Sequence, residues 1–179
     1  MAEAPRFVVR DITLFERPVR LRLPFRFGVV TLTQCPQAFV RARIELVDGR
    51  SASGGAAELM APKWFDKNLA LSNDDNFDQL RDVLRLARDA YLADPTPDTA
   101  FGHFARHHDA QLAAGATRGH NPLLASYGPA LIDRALLDAL CRALRAVGPA
   151  SRGARLQFRV DEVGVIDVDE VGELADQVF

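Results

Sequence analysis

Val19-Arg20-Leu21-Arg22-Leu23-Pro24-Phe25-Arg26-Phe27-Gly28 is the stretch whose reading decides the fold. Apolar side chains take every second position and arginine fills three of the gaps, the period-two pattern of a strand with one apolar and one cationic face. Pro18 and Pro24 each remove a ladder donor, so this strand is expected at a sheet edge or interrupted. Upstream, Phe7 to Phe15 supplies a further strand. Downstream, Val40, Ala42, Ile44 and Leu46 alternate with Arg41, Arg43 and Glu45. Asp48-Gly49 reads as the following hairpin turn, because glycine tolerates the positive φ such turns require. The return strand, Arg50 to Glu58, is small and glycine-rich. The expected result is a three-stranded antiparallel meander over about residues 7–58.

From Ser72 the period becomes helical. Ser72 and Asp75 have capping-box spacing, and Phe77, Leu80, Leu84, Ala87 and Tyr91 then fall on one face until Asp94-Pro95 stops the helix. Thr96-Pro97 is expected to open a second helix with Phe101, Phe104, His108 and Leu112 on its inner side, closing near Gly115. Pro129 can begin a third, running from Ala130 to Val147. Its Leu131, Ile132, Ala135, Leu136, Ala139, Leu140, Ala143 and Leu144 make a face wide enough for a central core helix. Asp133 and Asp138 are placed on its polar side, with Asp138 and Arg142 spaced for an i,i+4 pair. Past Gly148 a small-residue and basic linker, Pro149 to Arg155, precedes apolar runs at Leu156–Val160 and Val163–Val168. Asp169 can cap a last turn carrying Val171, Leu174 and Val178. Strands followed by helices define an α+β domain, here a meander followed by a bundle of three to four helices.

Composition narrows the function classes. The 179 residues are 48% hydrophobic and 26% charged with a net charge of -2, which fits a globular domain and argues against a nucleic-acid surface. Charge is nevertheless uneven: residues 1–50 carry nine arginines and five acids, residues 155–179 two arginines and seven acids. Cys35 and Cys141 are too few and too distant for a disulfide framework or a metal clamp, and read as reduced, partly buried small groups. The start lacks the apolar core of a signal peptide and no run approaches a membrane span, so a cytoplasmic protein with no membrane partner is expected.

Nucleophilic and metal constellations are weak. No Gly-x-Ser-x-Gly elbow surrounds any serine, and Ser53-Gly54-Gly55 follows a hairpin without the Gly-Lys-Ser/Thr of a phosphate loop. His103 and His107 have the i,i+4 spacing of zinc-binding helices. Residue 104, however, is Phe rather than Glu and no cysteine lies near, so both read as surface or hydrogen-bonded helix positions and no metal ligand is taken from this chain. His120, in Arg118-Gly-His-Asn-Pro, reads as a hydrogen-bonding loop residue.

Three weak motifs in order carry a resemblance: the Pro24-Phe25-Arg26-Phe27-Gly28 turn, Asp48-Gly49 leading to Gly54-Gly55-Ala56-Ala57-Glu58, and the helix Leu131-Ile-Asp-Arg-Ala-Leu-Leu-Asp-Ala-Leu. Over about residues 7–147 the chain resembles the N-terminal capping domain of the enolase superfamily, in its mandelate racemase/muconate lactonizing branch. The resemblance implies a capping domain at 1–148 (strands about 7–58, helices about 73–147), followed at 149–179 by a linker and the incomplete start of a TIM barrel. It implies that the complete enzyme is an isomerase or lyase that removes a proton next to a substrate carboxylate. Mg²⁺ and a Lys or His base would sit on barrel residues that this chain lacks, since a barrel needs roughly 200 residues or more. No catalytic residue is therefore taken from the chain, and Lys63 and Lys67 do not form the family's Lys-x-Lys motif. By resemblance two cap loops close over the substrate, about Phe25 to Cys35 and Ala56 to Phe65. The implied specificity contacts are Arg26, Phe27, Val29 and Thr31 in the first and Glu58, Leu59, Trp64 and Phe65 in the second. Arg26 also reads as a solvated strand charge, and the aromatics as core residues. A homo-oligomer is expected. The rival reading is a non-catalytic α+β module that binds a partner protein through the surface a barrel would cover.

Overall fold

The computed structural model describes residues 4–28 and 30–145, and the backbone of 166–167. Three long antiparallel strands come first: β1 (Phe7–Phe27), β2 (Val30–Leu46) and β3 (Ser51–Leu59). Four helices follow, α1 (Asn73–Ala93), α2 (Ala100–Thr117), α3 (Pro122–Ala125) and α4 (Tyr127–Arg145), and then the two-residue β4 (Ile166–Asp167). Sheet order is β3-β2-β1-β4, so the expected meander stands and gains a short fourth strand paired to Phe15 and Glu16. Ile166 and Asp167, which the sequence pattern assigns to the start of a following domain, are the residues that pair there. The linker, the Leu156–Val160 run and the Asp169 helix lie outside the described residues.

The inner row of β2, Val40, Ala42, Ile44 and Leu46, is buried while Arg41 and Arg43 are exposed, as the alternation requires. On the solvent face arginines lie over aromatic rings, Arg17 on Phe39 at 5.1 Å and Arg41 on Phe15 at 5.4 Å. Helix α4 crosses the inner face, its Leu131, Ile132, Ala135, Leu136, Ala139 and Ala143 buried against the sheet and α1. At Gly54 the helix backbone comes so near that a Cβ built there would lie 2.1 Å from the Ala139 amide nitrogen and 2.4 Å from the Ala135 carbonyl oxygen. The glycine-rich return strand is thus a seat for a helix, and its smallness is required by close approach.

Helix α1 starts as predicted, with the Ser72 hydroxyl and Asp75 carboxylate bonded reciprocally. All five residues of its predicted face are buried.

Several expectations are corrected. The segments Phe7–Phe15 and Val19–Phe27 are one continuous strand, paired with β2 from Phe7↔Leu46 to Phe27↔Val30. The predicted open loop at Phe25–Cys35 is therefore the end of a two-stranded ribbon that turns at Gly28, whose φ is +52°. Leu23 and Phe25, read as inward, are 71% and 54% exposed, because the ribbon outruns the helix layer.

Helix α2 begins at Ala100, capped by Thr99; Thr96-Pro97 lies in a connector where Asp98 and Phe7 exchange both backbone bonds. The buried residues of α2 are His103, Gln111 and Gly115, whereas Phe101 is 75% exposed. Helix α4 starts at Tyr127, ahead of Pro129, which sits in its first turn where a missing N–H costs nothing. Leu144 on its predicted inner face is exposed, and so is Cys141; Cys35 is buried.

Asp133, expected on a polar face, is half-buried and accepts the Tyr91 hydroxyl at 2.8 Å. Burial pushes its carboxyl up to about 6, against the opposing Tyr91 bond. With an unfolded value of about 3.9, the folded chain holds this proton more tightly. The resulting stability is complete below about pH 4 and lost as pH rises through about 6. Asp133→Asn keeps an acceptor for Tyr91 and removes the charge. Urea unfolding is expected to show the variant more stable than the parent at pH 7.5, by about 2 kcal/mol after allowance for partial exposure, with the gap closing near pH 4.

Candidate functional site

The outer part of the β1–β2 ribbon projects beyond α1, and between the pairs Arg20↔Gln34 and Phe25↔Leu32 β1 advances by five residues while β2 advances by two. Such a bulge re-aims the side chains that follow it. Leu32 is nevertheless buried, and Phe27 packs against the core cluster. Beyond it the aromatic rings run in sequence: Phe25 and Phe27 have centroids 5.4 Å apart, and Phe27 meets Trp64 edge-on at 5.6 Å. Two segments assigned to one site from sequence are thereby brought together. Arg26, Thr31 and Trp64 are exposed and Phe27 half-buried. Val29 lies outside the described residues.

The loop carrying Trp64 is tightly held. Lys63 takes a left-handed backbone, φ 61°, which is costly for a side-chain-bearing residue. Its ammonium donates to the Leu71 carbonyl at 2.6 Å and to Asn76 Oδ1 at 2.8 Å, and its own amide also reaches Asn76. Asp66 accepts the Asn68 amide and the Gln79 side chain, which together hold its carboxyl below the usual range. Asn121 donates to the Phe65 carbonyl at 3.0 Å. Phe65 turns away from Trp64's solvent side and packs edge-on against Tyr127 at 5.0 Å.

Glu58 and Leu59 end β3, beside Ala38 and Gln37 of β2. Glu58 pairs with Arg134 of α4 at 2.9 Å. Close by in charge, the Tyr127 hydroxyl is buried without a hydrogen-bond partner, and burial first, then Glu58, raises its pKa. The predicted residues therefore divide. Phe27, half-buried, meets exposed Trp64; Arg26 and Thr31 stand exposed on the same end of the ribbon; and Glu58 and Phe65 are engaged with α4.

Sequence reasoning missed the polar centre at the ribbon's stem. Glu16 follows Ile12 and Leu14 on the inner row of β1 and is buried with them, only 7% exposed. Arg81 of α1 answers with a two-pronged pair, Nε to Oε2 at 2.8 Å and one terminal nitrogen to Oε1 at 2.6 Å. Burial works against the Arg81 cation, but Glu16 and then Asp78 outweigh it and hold its pKa up. A cavity of about 610 Å³ opens beside the pair, lined among others by Pro18, Arg20, Gln34, Asp74 and Phe77. None of the predicted site residues lines it. An acid in an otherwise apolar inward row was the available signal.

Among the described residues the group of three possible metal ligands is Asp94, His103 and His107. Two imidazoles do not suit Mg²⁺, which takes oxygen donors in an octahedron. No helix of the described residues is long and apolar enough to cross a membrane.

Fold and site thus define an α+β domain with a projecting aromatic ribbon. No family model and no curated protein matches the chain. Among solved structures it is similar to an enolase from alpha pretobacterium bal199 with bound Mg, at 16% identity and a TM-score of 0.48, over 77% of this chain and 32% of that one. It is also similar to a dipeptide epimerase from Cytophaga hutchinsonii complexed with Mg and the dipeptide D-Ala-L-Val, at 16% identity and a TM-score of 0.24, over 60% and 31%. The chain spans about a third of the length of those solved chains.

Proposed function

We propose that this chain is the substrate-capping domain of a Mg-dependent enolase-superfamily enzyme of the mandelate racemase/muconate lactonizing branch. The observation that carries the reading is the Phe27–Trp64 ring contact, which joins the two segments that the sequence resemblance names as substrate loops. The ribbon tip and the Trp64 loop close one side of a pocket for a small carboxylate. Arg26 supplies positive charge, and Phe27 and Trp64 supply apolar contact and exclude water. Proton removal next to the carboxylate, as a racemase, dehydratase or cycloisomerase, belongs to a barrel domain with its own base and oxygen ligands. The group Asp94, His103 and His107 found among the described residues does not suit Mg²⁺.

The test is the reading frame beyond Phe179, followed by assay of its product. Continuation into Lys-x-Lys and three spaced Asp/Glu ligands, with exchange of a substrate α-proton in deuterium oxide, is the expected result. In that enzyme Trp64→Ala should lower kcat/KM roughly tenfold or more, the scale of an apolar pocket contact, with the melting temperature nearly unchanged. A stop codon at that point, or an unaffected kcat/KM, would defeat the proposal. The exposure of Leu23, Phe25, Trp64 and Leu69 favours a second reading, a non-catalytic module that uses this tip to hold a partner protein.

A further inference from the structure

Asp94 ends α1, and His103 and His107 stand on successive turns of α2. Each of the three offers one donor atom within 4.8 Å of the other two. His103 is buried, and its Nε2 lies 2.8 Å from the Phe7 carbonyl oxygen. A carbonyl only accepts, so Nε2 carries the proton and the other ring nitrogen of the neutral imidazole keeps a free lone pair. That arrangement, one ring nitrogen donating to a carbonyl, is the outer support that metal-binding histidines commonly have.

His107 is the odd member. Its ring lies on Tyr91 with centroids 4.4 Å apart, and its Nε2 is buried without a hydrogen-bond partner. Asp94 Oδ2 is 3.4 Å from that nitrogen, in a position that satisfies no hydrogen bond. Donors held about 2 Å from one tetrahedral ion stand about 3.3 Å apart, so this separation is the edge of a zinc-type coordination shell.

We propose that Asp94, His103 and His107 form a three-ligand site for a borderline divalent transition-metal ion of the zinc class, clasping the end of α1 to α2. The fourth position remains for water. Arg106 is the built-in competitor: it donates to Asp94 at 2.6 Å and also contacts Asp98. Entry of the ion therefore transfers the guanidinium to Asp98, where a partner already waits. Neither the capping role nor the ribbon tip takes part in this site.

The experiment titrates the metal-free chain with Co²⁺, reading the visible absorption of a four-coordinate ion, and then displaces it with Zn²⁺ while following thermal unfolding. One ion per chain and a raised melting temperature are expected. His107→Gln and Asp94→Asn, each checked for folding by circular dichroism, should weaken Zn²⁺ by at least about tenfold. Arg106→Ala, which removes the competitor, should tighten it. Absence of a saturable cobalt spectrum in the parent chain would overturn the proposal. So would unchanged affinity in His107→Gln, which would put the ion on another histidine.

Discussion

Gly54→Val is expected to destabilise the fold by about 3 kcal/mol, the upper range for overpacking a tight interior. The first atom of any side chain at this position would lie 2.1 Å from the Ala139 amide and 2.4 Å from the Ala135 carbonyl. Neither can yield, because both belong to the backbone of α4. Either the helix lifts off β3, opening voids beneath Leu131, Ile132 and Leu136, or the strand bends and its pairing with Ala42 is lost. The neighbouring glycine provides the control. At Gly55 an added Cβ would meet the Val40 carbonyl oxygen at 3.6 Å, an ordinary contact, so Gly55→Ala should shift the urea midpoint only slightly. Equal midpoints for the two variants would show that α4 does not rest on the strand as described.

The second large effect is expected at the polar centre. Arg81→Met should cost about 3–5 kcal/mol at neutral pH, the range found when one partner of a buried ion pair is removed. Glu16 would then sit 7% exposed in the inner row of β1 with its two guanidinium bonds gone. The double variant Glu16→Leu/Arg81→Met should recover most of that loss, since a packed apolar pair avoids desolvating charge. Chemical unfolding of the single and double variants decides the matter. If the single variant is as stable as the parent, the pair contributes registration between β1 and α1 but little energy.

Much of this architecture could be read from the letters where local chemistry and tertiary burial agree. Ser72 and Asp75 announce the start of α1, and apart from Asn76 in its first turns the buried face of that helix is made of Phe77, Leu80, Val83, Leu84, Ala87 and Tyr91, so periodicity finds it. The inner row of β2 is legible for the same reason. Helix α2 is not, because its inward residues are His103, Gln111 and Gly115, while the apolar Phe101 faces solvent. Gln111 is tolerated inside because its amide donates to the Val83 and Ala125 carbonyls, an arrangement invisible from spacing. Likewise Pro18 suggests a break between two strands, but β1 runs through it with Pro36 opposite.

The site follows the same division. Phe27 could be named from sequence because it belongs to a motif, and Trp64 because the resemblance places it in the second implied loop. Their contact depends on how far the ribbon extends before turning at Gly28. The histidine pair on α2 was visible as a spacing, but its carboxylate neighbour comes from the end of another helix. Only the α1–α2 connection, fixed by the Phe7–Asp98 bridge, places Asp94 beside it.

The outer margin of β1 has one more bearing, on solubility. Beyond Glu16 this margin has no strand partner among the described residues, leaving a rail of backbone donors and acceptors on which a foreign strand could grow. Pro18 and Pro24 interrupt that rail, and exposed Arg20, Arg22 and Arg26 give it a charge that a second molecule of the same kind would share. A margin bearing exposed Leu23 and Phe25 is thereby guarded against fibre growth.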